Sequence, residues 1–373
     1  MLSFGQLSYW ERIQYIEQNT FVIVGAGLIG MSTALSLKER FPLEKVLIIE
    51  RGYLPTGAST KNAGFACFGS PTELQDDLQK MPADIVWQTV ELRLQGLALL
   101  KNRVGAAAMD YRPCGSWDLL SESDQPLESG FIEALNAEMK SHFGLEQVYQ
   151  IDPLFEQKFG FKGFQTAYFN QYEGSIHTGK LMEALHRKCV EAGVQFLFAT
   201  EVLSWQANTQ EVEVATQHGN LRCAHLLICT NGFAQELFPN EVKPARAQVL
   251  ITKPIAHQII GTFHSDRGYY YFRDIGQRIL LGGGRQLDFE TETTTLLESN
   301  ARIQKALIDK LRFEILPNKD FEIDYEWSGI MGVGPEKKPL IRSLNKNVHA
   351  GVRMGGMGIA IGTAVGTALS KLV

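Results

Sequence analysis

The sequence is short of the features that mark several protein classes. No run of five or more basic residues occurs among its 36 Lys and Arg, and the formal net charge is only −5 over 373 residues. That leaves no electrostatic footprint for a nucleic acid or an anionic membrane, and neither partner is expected. Cysteine is sparse: Cys67, Cys114, Cys189, Cys223 and Cys229 are odd in number and far apart, with no Cys-x-x-Cys pair. No His/Cys cluster has zinc spacing either, so free thiols in a reducing, cytoplasmic setting are expected, with no metal. The first 20 residues hold Glu11, Arg12 and Glu17 and no continuous apolar stretch, unlike a secretory signal. Long hydrophobic runs are scarce. Residues 21–37 are interrupted by three glycines, and residues 354–373 are rich in glycine and small side chains. The second stretch just reaches the roughly 20 apolar residues of a membrane span, but nothing aromatic or basic anchors its far end, and no span is expected. No repeat of about 20–50 residues is visible.

What remains is ordinary globular composition, 45% hydrophobic and 21% charged, with 35 glycines. The length suggests two or three domains. Residues 20–25 form a short apolar run of the kind buried in a parallel sheet, residues 28–40 have helical spacing, and residues 46–50 form a second apolar run. Together they make one βαβ unit. Helical spacing returns over residues 82–104, with Val86, Val90, Leu94, Leu97 and Val104 on one stripe. It returns again over 178–192, with Thr178 as N-cap and Gly193 as stop, over 295–313, with Leu296, Ile303, Leu307 and Leu311 on one side, and over 359–372. Strand patterns occupy 115–119, 163–169, 195–199, 202–206, 211–216, 226–230, 247–252, 269–273 and 278–282. That order suits two domains threaded by a chain that crosses between them several times.

Gly25-Ala-Gly27-Leu28-Ile29-Gly30 is a G-x-G-x-x-G motif that leaves the first strand and opens the helix. Gly25 permits the tight turn, Gly27 the close approach of a pyrophosphate and Gly30 the packing of helix on strand. The free N–H groups and positive end of the helix suit phosphates. Glu50 ends the second strand, where a carboxylate accepts hydrogen bonds from a ribose 2′-hydroxyl and disfavours a 2′-phosphate. An adenine dinucleotide is expected, and NADP is disfavoured.

Directly beyond Glu50 and Arg51, the segment Gly57-Ala58-Ser59-Thr60-Lys61-Asn62-Ala63-Gly64-Phe65 resembles the Gly-Ala-Ser-x-x-Asn-x-Gly segment of the D-amino-acid oxidase superfamily of flavoenzymes. That superfamily includes glycine, sarcosine and glutamylputrescine oxidases. The resemblance continues in order along the chain. Residues 226–233, with Thr230, Asn231 and Gly232, resemble the strand end that returns to the dinucleotide, and Val202 stands where relatives meet the adenine. Residues 327–335 and 338–341 resemble the Trp-x-Gly block. Arg353 and the glycine turn Gly355-Gly356-Met357-Gly358-Ile359 resemble the closing segment, whose helix N-terminus faces the flavin. The resemblance implies an α/β fold with a Rossmann-like FAD-binding domain (residues 1–80, 175–245 and 325–373) and a second, mixed-sheet α+β substrate domain (81–174 and 246–324).

It also implies function: FAD-dependent oxidation of the C–N bond of an amine or amino acid, by hydride transfer to flavin N5, to an imine that hydrolyses. Oxygen or another acceptor then takes the electrons. In the first case a cation near the flavin assists, with Lys61, Arg285 and Arg353 as candidates. Residues 267–285 resemble the active-site strand pair, and alternation puts Tyr269, Tyr271 and Arg273 on one face and Tyr270 and Phe272 on the other. Arg353, then Arg273 and Arg285, are the candidate clamps for a substrate carboxylate. Where glycine oxidase has a substrate-binding Arg this chain has Met331, which argues against glycine and simple small amino acids. Gly329 stands where sarcosine oxidase links its flavin through Cys, implying non-covalent FAD, and Met357 replaces a common His. Two other readings stay open: a hydroxy-acid dehydrogenase, and a flavin-binding protein without turnover.

Overall fold

A computed structural model describes residues 3–256 and 259–373. The apolar run Asn19–Val24 pairs in parallel with Val46–Ile49 on one side and Gly219–Ile228 on the other. The sheet extends from these to Gln195–Leu197 at one edge and to Val348–Val352 and Leu340–Ser343 at the other. Val202–Ala207 and Val212–Thr216 join it through antiparallel pairing to Gly219–Ile228. Alternation along the strands sends Phe21, Ile23, Val46 and Ile48 to a helix-covered core, and Val22, Leu47 and Ile49 to a second core on the opposite face. The first core is covered by the helices Leu28–Arg40, Ala83–Val104, Thr178–Glu191 and Gly358–Ser370. None of the helices among the described residues is long and apolar enough to cross a membrane. The five cysteines are free.

The second sheet runs Ile323–Val333, Lys243–Thr252, Arg278–Gly283, Tyr270–Ile275, Thr262–Ser265, Ser116–Ser121, Phe164–Asn170 and Tyr149–Ile151. It is mixed, because Thr262–Ser265 lies parallel to Ser116–Ser121 within an otherwise antiparallel array. One face packs Trp117, Phe263 and Phe272 against the helix Ala301–Lys310. The other face carries a single transverse row, fixed by register: Tyr168, Asp118, His264, Tyr271, Gly282, Val249 and Trp327. This row faces the first domain.

The two units interlock more than the expected boundaries suggest. Strand Ile323–Val333 is an edge of the second sheet, so position 325 falls inside a strand. Helix Ala83–Val104 buries Leu97, Leu100 and Val104 in the core of the first unit. Two helix ends also differ from expectation. His177, not Thr178, is the N-cap of its helix, and its ring accepts from the Lys180 N–H. The helix expected from residue 295 starts at Ala301, where the Asn300 side chain accepts from the N–H groups of Arg302 and Ile303. The residues before it are tied to the sheet instead: buried Glu292 takes a bidentate pair from Arg246, at 2.7 and 3.0 Å, and Leu296 is exposed. Helices Pro71–Lys80 and Phe131–Phe143 lie where no helix was expected.

Where Ala83–Val104 crosses Gly358–Ser370, Gly96 lies so close that an added Cβ would overlap the Ala360 carbonyl oxygen. Backbone is a rigid neighbour, and overpacking typically costs about 1–3 kcal/mol. Gly96→Ala is expected to destabilise the protein by that amount in denaturant unfolding, since it displaces the start of the C-terminal helix. Wild-type stability in this variant would show that the crossing is not tight.

Candidate functional site

Between the first sheet and the transverse row lies a cavity of about 1400 Å³. Pockets for a drug-sized ligand measure roughly 300–1,000 Å³, so there is room for an extended dinucleotide and a second small molecule. At one end the glycine motif forms the wall. Gly25 has φ +106°, and an added Cβ would come within 2.9 Å of the Cys229 carbonyl oxygen. Gly27, Leu28 and Ile29 line the cavity. The Leu28–Arg40 helix starts without a side-chain cap at Gly27, although Ser59 Oγ accepts from the Leu28 N–H at 2.9 Å. The Gly358–Ser370 helix also starts uncapped, behind Gly355 (φ +58°) and Gly356 (φ +86°). Two uncapped helix starts on one cavity give backbone donors and positive dipole ends suited to anionic groups.

Glu50 is buried and lines the same wall. Its two carboxylate oxygens accept from the N–H groups of Ala26 (3.0 Å) and Gly52 (2.9 Å), and each keeps a lone pair for a ribose hydroxyl. Arg51, Val202, Thr230 and Asn231 also line the cavity, with the Arg51 guanidinium 4.0 Å from the Phe233 ring centre. In the small-residue loop, Ala58, Ser59, Lys61, Asn62, Ala63, Gly64 and Phe65 all face inward. Asn62 fixes its shape: the side-chain oxygen accepts from Gly64 N–H (2.9 Å) and the Thr178 hydroxyl (3.0 Å), while the amide donates to the Ser59 carbonyl (2.9 Å). Trp327 Nε1 donates to the Lys61 carbonyl at 2.9 Å, which ties the loop to the second sheet. The chemistry of this donor set, the uncapped helix starts and the glycine approach fit an adenine dinucleotide.

Several expected residues stand behind the wall. Gly30 packs helix against strand, since a Cβ there would overlap the Gly25 carbonyl oxygen, and Gly232 likewise backs onto Met331. The Thr60 hydroxyl is turned to the Pro55 carbonyl. Two of the expected carboxylate clamps are corrected. Arg353 has φ +67° and is buried. It donates to the carbonyls of Lys338 (3.0 Å) and Glu241 (3.2 Å) and reaches Glu336, so it straps the C-terminal turn and does not line the cavity. Arg273 points beneath the cofactor loop, where one amino group donates to the carbonyls of Gly64 (2.7 Å), Ile176 (2.8 Å) and Ala63 (3.3 Å). Burial, then nearby Arg112, lowers its pKa to about 10, which still leaves it charged at neutral pH.

The cavity does take in Tyr269, Tyr271, Arg285, Met331 and Met357. Tyr271 covers Gly282, meets Phe65 edge-on at 5.9 Å, and has its hydroxyl pushed up to about 12 by burial. Met331 lies against Gly356. The Arg285 guanidinium sits 4.9 Å from the Phe289 ring centre, and its buried Nε has no acceptor. Sequence reasoning missed His264, Cys67, Glu73, Phe289 and Lys337, which also line the cavity. Ser70 before Pro71 was a legible start for the helix that brings Glu73, because Ser70 Oγ accepts from the Glu73 N–H.

Buried charges hold the loop at residues 67–72. Glu173 accepts from the N–H groups of Phe68 (2.7 Å) and Gly69 (3.1 Å), and burial pushes its pKa up to about 7. Asp118 accepts from Thr72 N–H and is pushed up to about 6, again by burial. Against the same burial, Arg93 and Lys337 hold the Glu73 carboxyl at about 2.

Comparison with known proteins agrees with the geometry. The profile of a family described as FAD dependent oxidoreductase matches residues 20–372. The chain is 20% identical to a probable oxidoreductase, OrdL, of Haemophilus influenzae over 366 residues, covering 93% of this chain and 80% of that one. Glycine oxidase from Geobacillus kaustophilus superposes with a TM-score of 0.76 at 17% identity, covering 94% and 93% of the two chains. L-proline dehydrogenase from P. horikoshii does so with a TM-score of 0.75 at 19% identity, covering 96% and 93%. These structures share the two-domain fold.

If Arg273 is a brace for the cofactor loop, Arg273→Met raises the Kd for FAD by about tenfold, the loss of one charge-assisted hydrogen bond. Fluorescence of released flavin measures it. An unchanged FAD affinity together with weaker substrate binding would restore Arg273 as a clamp.

Proposed function

This chain belongs to the FAD-dependent oxidoreductase family, and on that premise we propose that it oxidises the C–N bond of a small amine or amino acid, with a substrate carboxylate held by Arg285. The observation that carries this reading is the state of Arg285. It is half-buried, it lines the cavity, and among the described residues it has no acidic partner. Three other cations at the cavity are engaged, Lys337 by Glu73 and Asp77, Arg267 by Asp266, and Lys80 by Asp76, while Arg51 and Lys61, also without an acidic partner among the described residues, belong to the dinucleotide wall. A half-buried guanidinium with an orphan donor is costly unless an anion arrives, and a carboxylate matches its planar fork. The structural neighbours named for glycine and proline accord with an amino acid.

FAD, when bound, supplies the acceptor for a hydride and its electron pair. The chain's own residues do the rest. Gly25, Gly27, Glu50, Ser59 and the two helix starts would hold the dinucleotide. Gly329 offers no side chain for a covalent link, and a Cβ there would stand 3.0 Å from that of Lys61, which supports non-covalent binding. Tyr271, Phe65 and Val249 wall off water, and Arg285 sets the substrate's orientation. Catalysis is then mostly positioning and needs no protein nucleophile.

The test supplies FAD-loaded protein with amino acids, amines and hydroxy acids one at a time, with a redox dye as acceptor. Dye reduction by a nitrogen compound, with an equal amount of carbonyl product, is expected. Arg285→Met should raise KM for a carboxylate-bearing substrate by about tenfold or more, since a hydrogen bond to a charged group is worth roughly 1.5–3 kcal/mol. Reduction by a hydroxy acid and by no nitrogen compound would overturn the C–N reading, and no reduction at all would favour a flavin protein without turnover.

A further inference from the structure

Outside the cavity, two histidines meet on the helix-covered face of the first sheet. His225 lies on Gly219–Ile228 and His349 on the adjacent parallel strand Val348–Val352, in register with Leu227. Their rings stack with centroids 5.9 Å apart and planes 26° from parallel, and Phe21 stacks on His225 at 5.7 Å. His349 is 2% exposed, and its Nδ1 shares a 2.8 Å hydrogen bond with the Ser343 hydroxyl. His349 Nε2 and His225 Nδ1 are both buried and, among the described residues, have no partner. Buried polar atoms are seldom left so, and each such case calls for a reason. We propose that the two rings form an acid-sensitive latch: stacked and neutral they hold strand Val348–Val352 in the sheet, and a proton on either ring loosens the strand and with it the FAD site.

The charged groups around the pair are cations or are already engaged. Lys346, in the turn before His349, bears on His225. Arg342, beside Ser343 on the edge strand, is turned to Glu241. Arg40 donates to the carbonyls of Ser370 and Val373 and lies over Phe41, which packs on Phe21. Burial first, then Lys346, lowers the pKa of His225, and burial, then His225, lowers that of His349 to about 4; no carboxylate bears on either ring. Both rings are therefore neutral near neutral pH, and charging one in apolar surroundings beside a cation is costly. A released segment has ordinary histidines, with a pKa of about 6.5, and binds protons that the folded pair refuses. Stability supplied by the neutral pair is thus fully present above about pH 6.5 and is lost as the pH falls toward the folded-state values.

The latched strand leads straight to the cofactor site. Val348, His349 and Ala350 register with Leu226, Leu227 and Ile228, and the outer neighbour is the short edge strand Leu340–Ser343. Beyond Val352 come Arg353, which holds the carbonyls of Lys338 and Glu241, and Met354, whose N–H donates to Asn231 Oδ1 at 3.2 Å. The Gly355–Gly356 turn then opens helix Gly358–Ser370 at the cavity wall. Slack in the strand passes through Arg353 and Met354 to the backbone donors that would hold FAD. Proton binding by the rings and FAD binding therefore oppose each other, and by linkage each weakens the other equally. The latch does not depend on which substrate is oxidised.

The experiment uses FAD-loaded wild type, His349→Asn, which keeps a partner for Ser343 without a titrating ring, and His225→Phe, which keeps the stack on Phe21. FAD release, read from flavin fluorescence, and hydrogen exchange of residues 340–373 are followed from about pH 7.5 down to about pH 5. Over this interval the wild-type Kd for FAD should rise about tenfold more than that of either variant. At the acid end residues 340–373 should exchange faster in wild type than in the variants. His264, also lowered to about 4 by burial, titrates alike in all three proteins and cancels. A merely structural role would weaken FAD binding in the variants equally at every pH; that result, or acid-induced exchange that begins in another segment, would overturn the latch. If a variant takes up no FAD at neutral pH, an NMR titration of the wild-type rings decides. Rings that stay neutral through about pH 6.5 with FAD bound support the latch, and rings that titrate at that ordinary value with FAD retained contradict it.

Discussion

Two helices begin at the wall of one cavity behind N-cap residues that give no side-chain cap, and apart from Leu28 N–H, which Ser59 Oγ accepts, much of the molecule is arranged to leave their first backbone donors free. Unsatisfied N–H groups at a helix start are tolerable only if a ligand or water meets them. The helices must also be held where they converge, and close crossing does this. Gly96 admits the Ala360 carbonyl and Gly366 admits the backbone of Ile29 and Thr33, so the helices approach backbone to backbone, while Gly362 leaves room for the Leu28 side chain. Their apolar sides form the core under the first sheet. The glycine-rich C-terminus, borderline in length for a membrane span, is explained by this packing.

On the other side of the cavity, charge is used for shape. Arg273 gathers the carbonyls of Ala63, Gly64 and Ile176, and Glu173 gathers the amides of Phe68 and Gly69. Each fixes a stretch of irregular backbone that no ladder of strand hydrogen bonds could hold. Arg246 and Glu292 do the same for the segment that carries Phe289 and Thr295 over the cavity. Against this background Arg285 differs, because among the described residues of the second sheet's side it is the cation that lines the cavity without an acidic partner.

The dinucleotide end was legible in the sequence because its information is local. Strand, turn, helix, strand and acid follow one another within residues 19–50, and the structure reproduces them almost residue for residue. The substrate end is built from pairings between distant strands, and its transverse row has no trace in any single segment. Alternation correctly grouped Tyr269, Tyr271 and Arg273, yet said nothing of height along the strand, so Arg273 was misread although its face was right. Arg353 was misread for another reason: its left-handed backbone turns the side chain away from the glycine turn beside it. His264 was hidden because its strand, Thr262–Ser265, is too short to show a pattern.

The account stands or falls on one cavity having two kinds of wall, backbone donors for FAD and Arg285 for the substrate's charge. The most direct measurement is a crystal structure of the FAD-loaded protein with furan-2-carboxylate bound. The account predicts the carboxylate paired with Arg285 and the flavin ring between the Lys61–Gly64 loop and the face of Tyr271 and His264. A carboxylate held instead by Arg353 or by Lys337, or a flavin ring lying away from that loop, would contradict it.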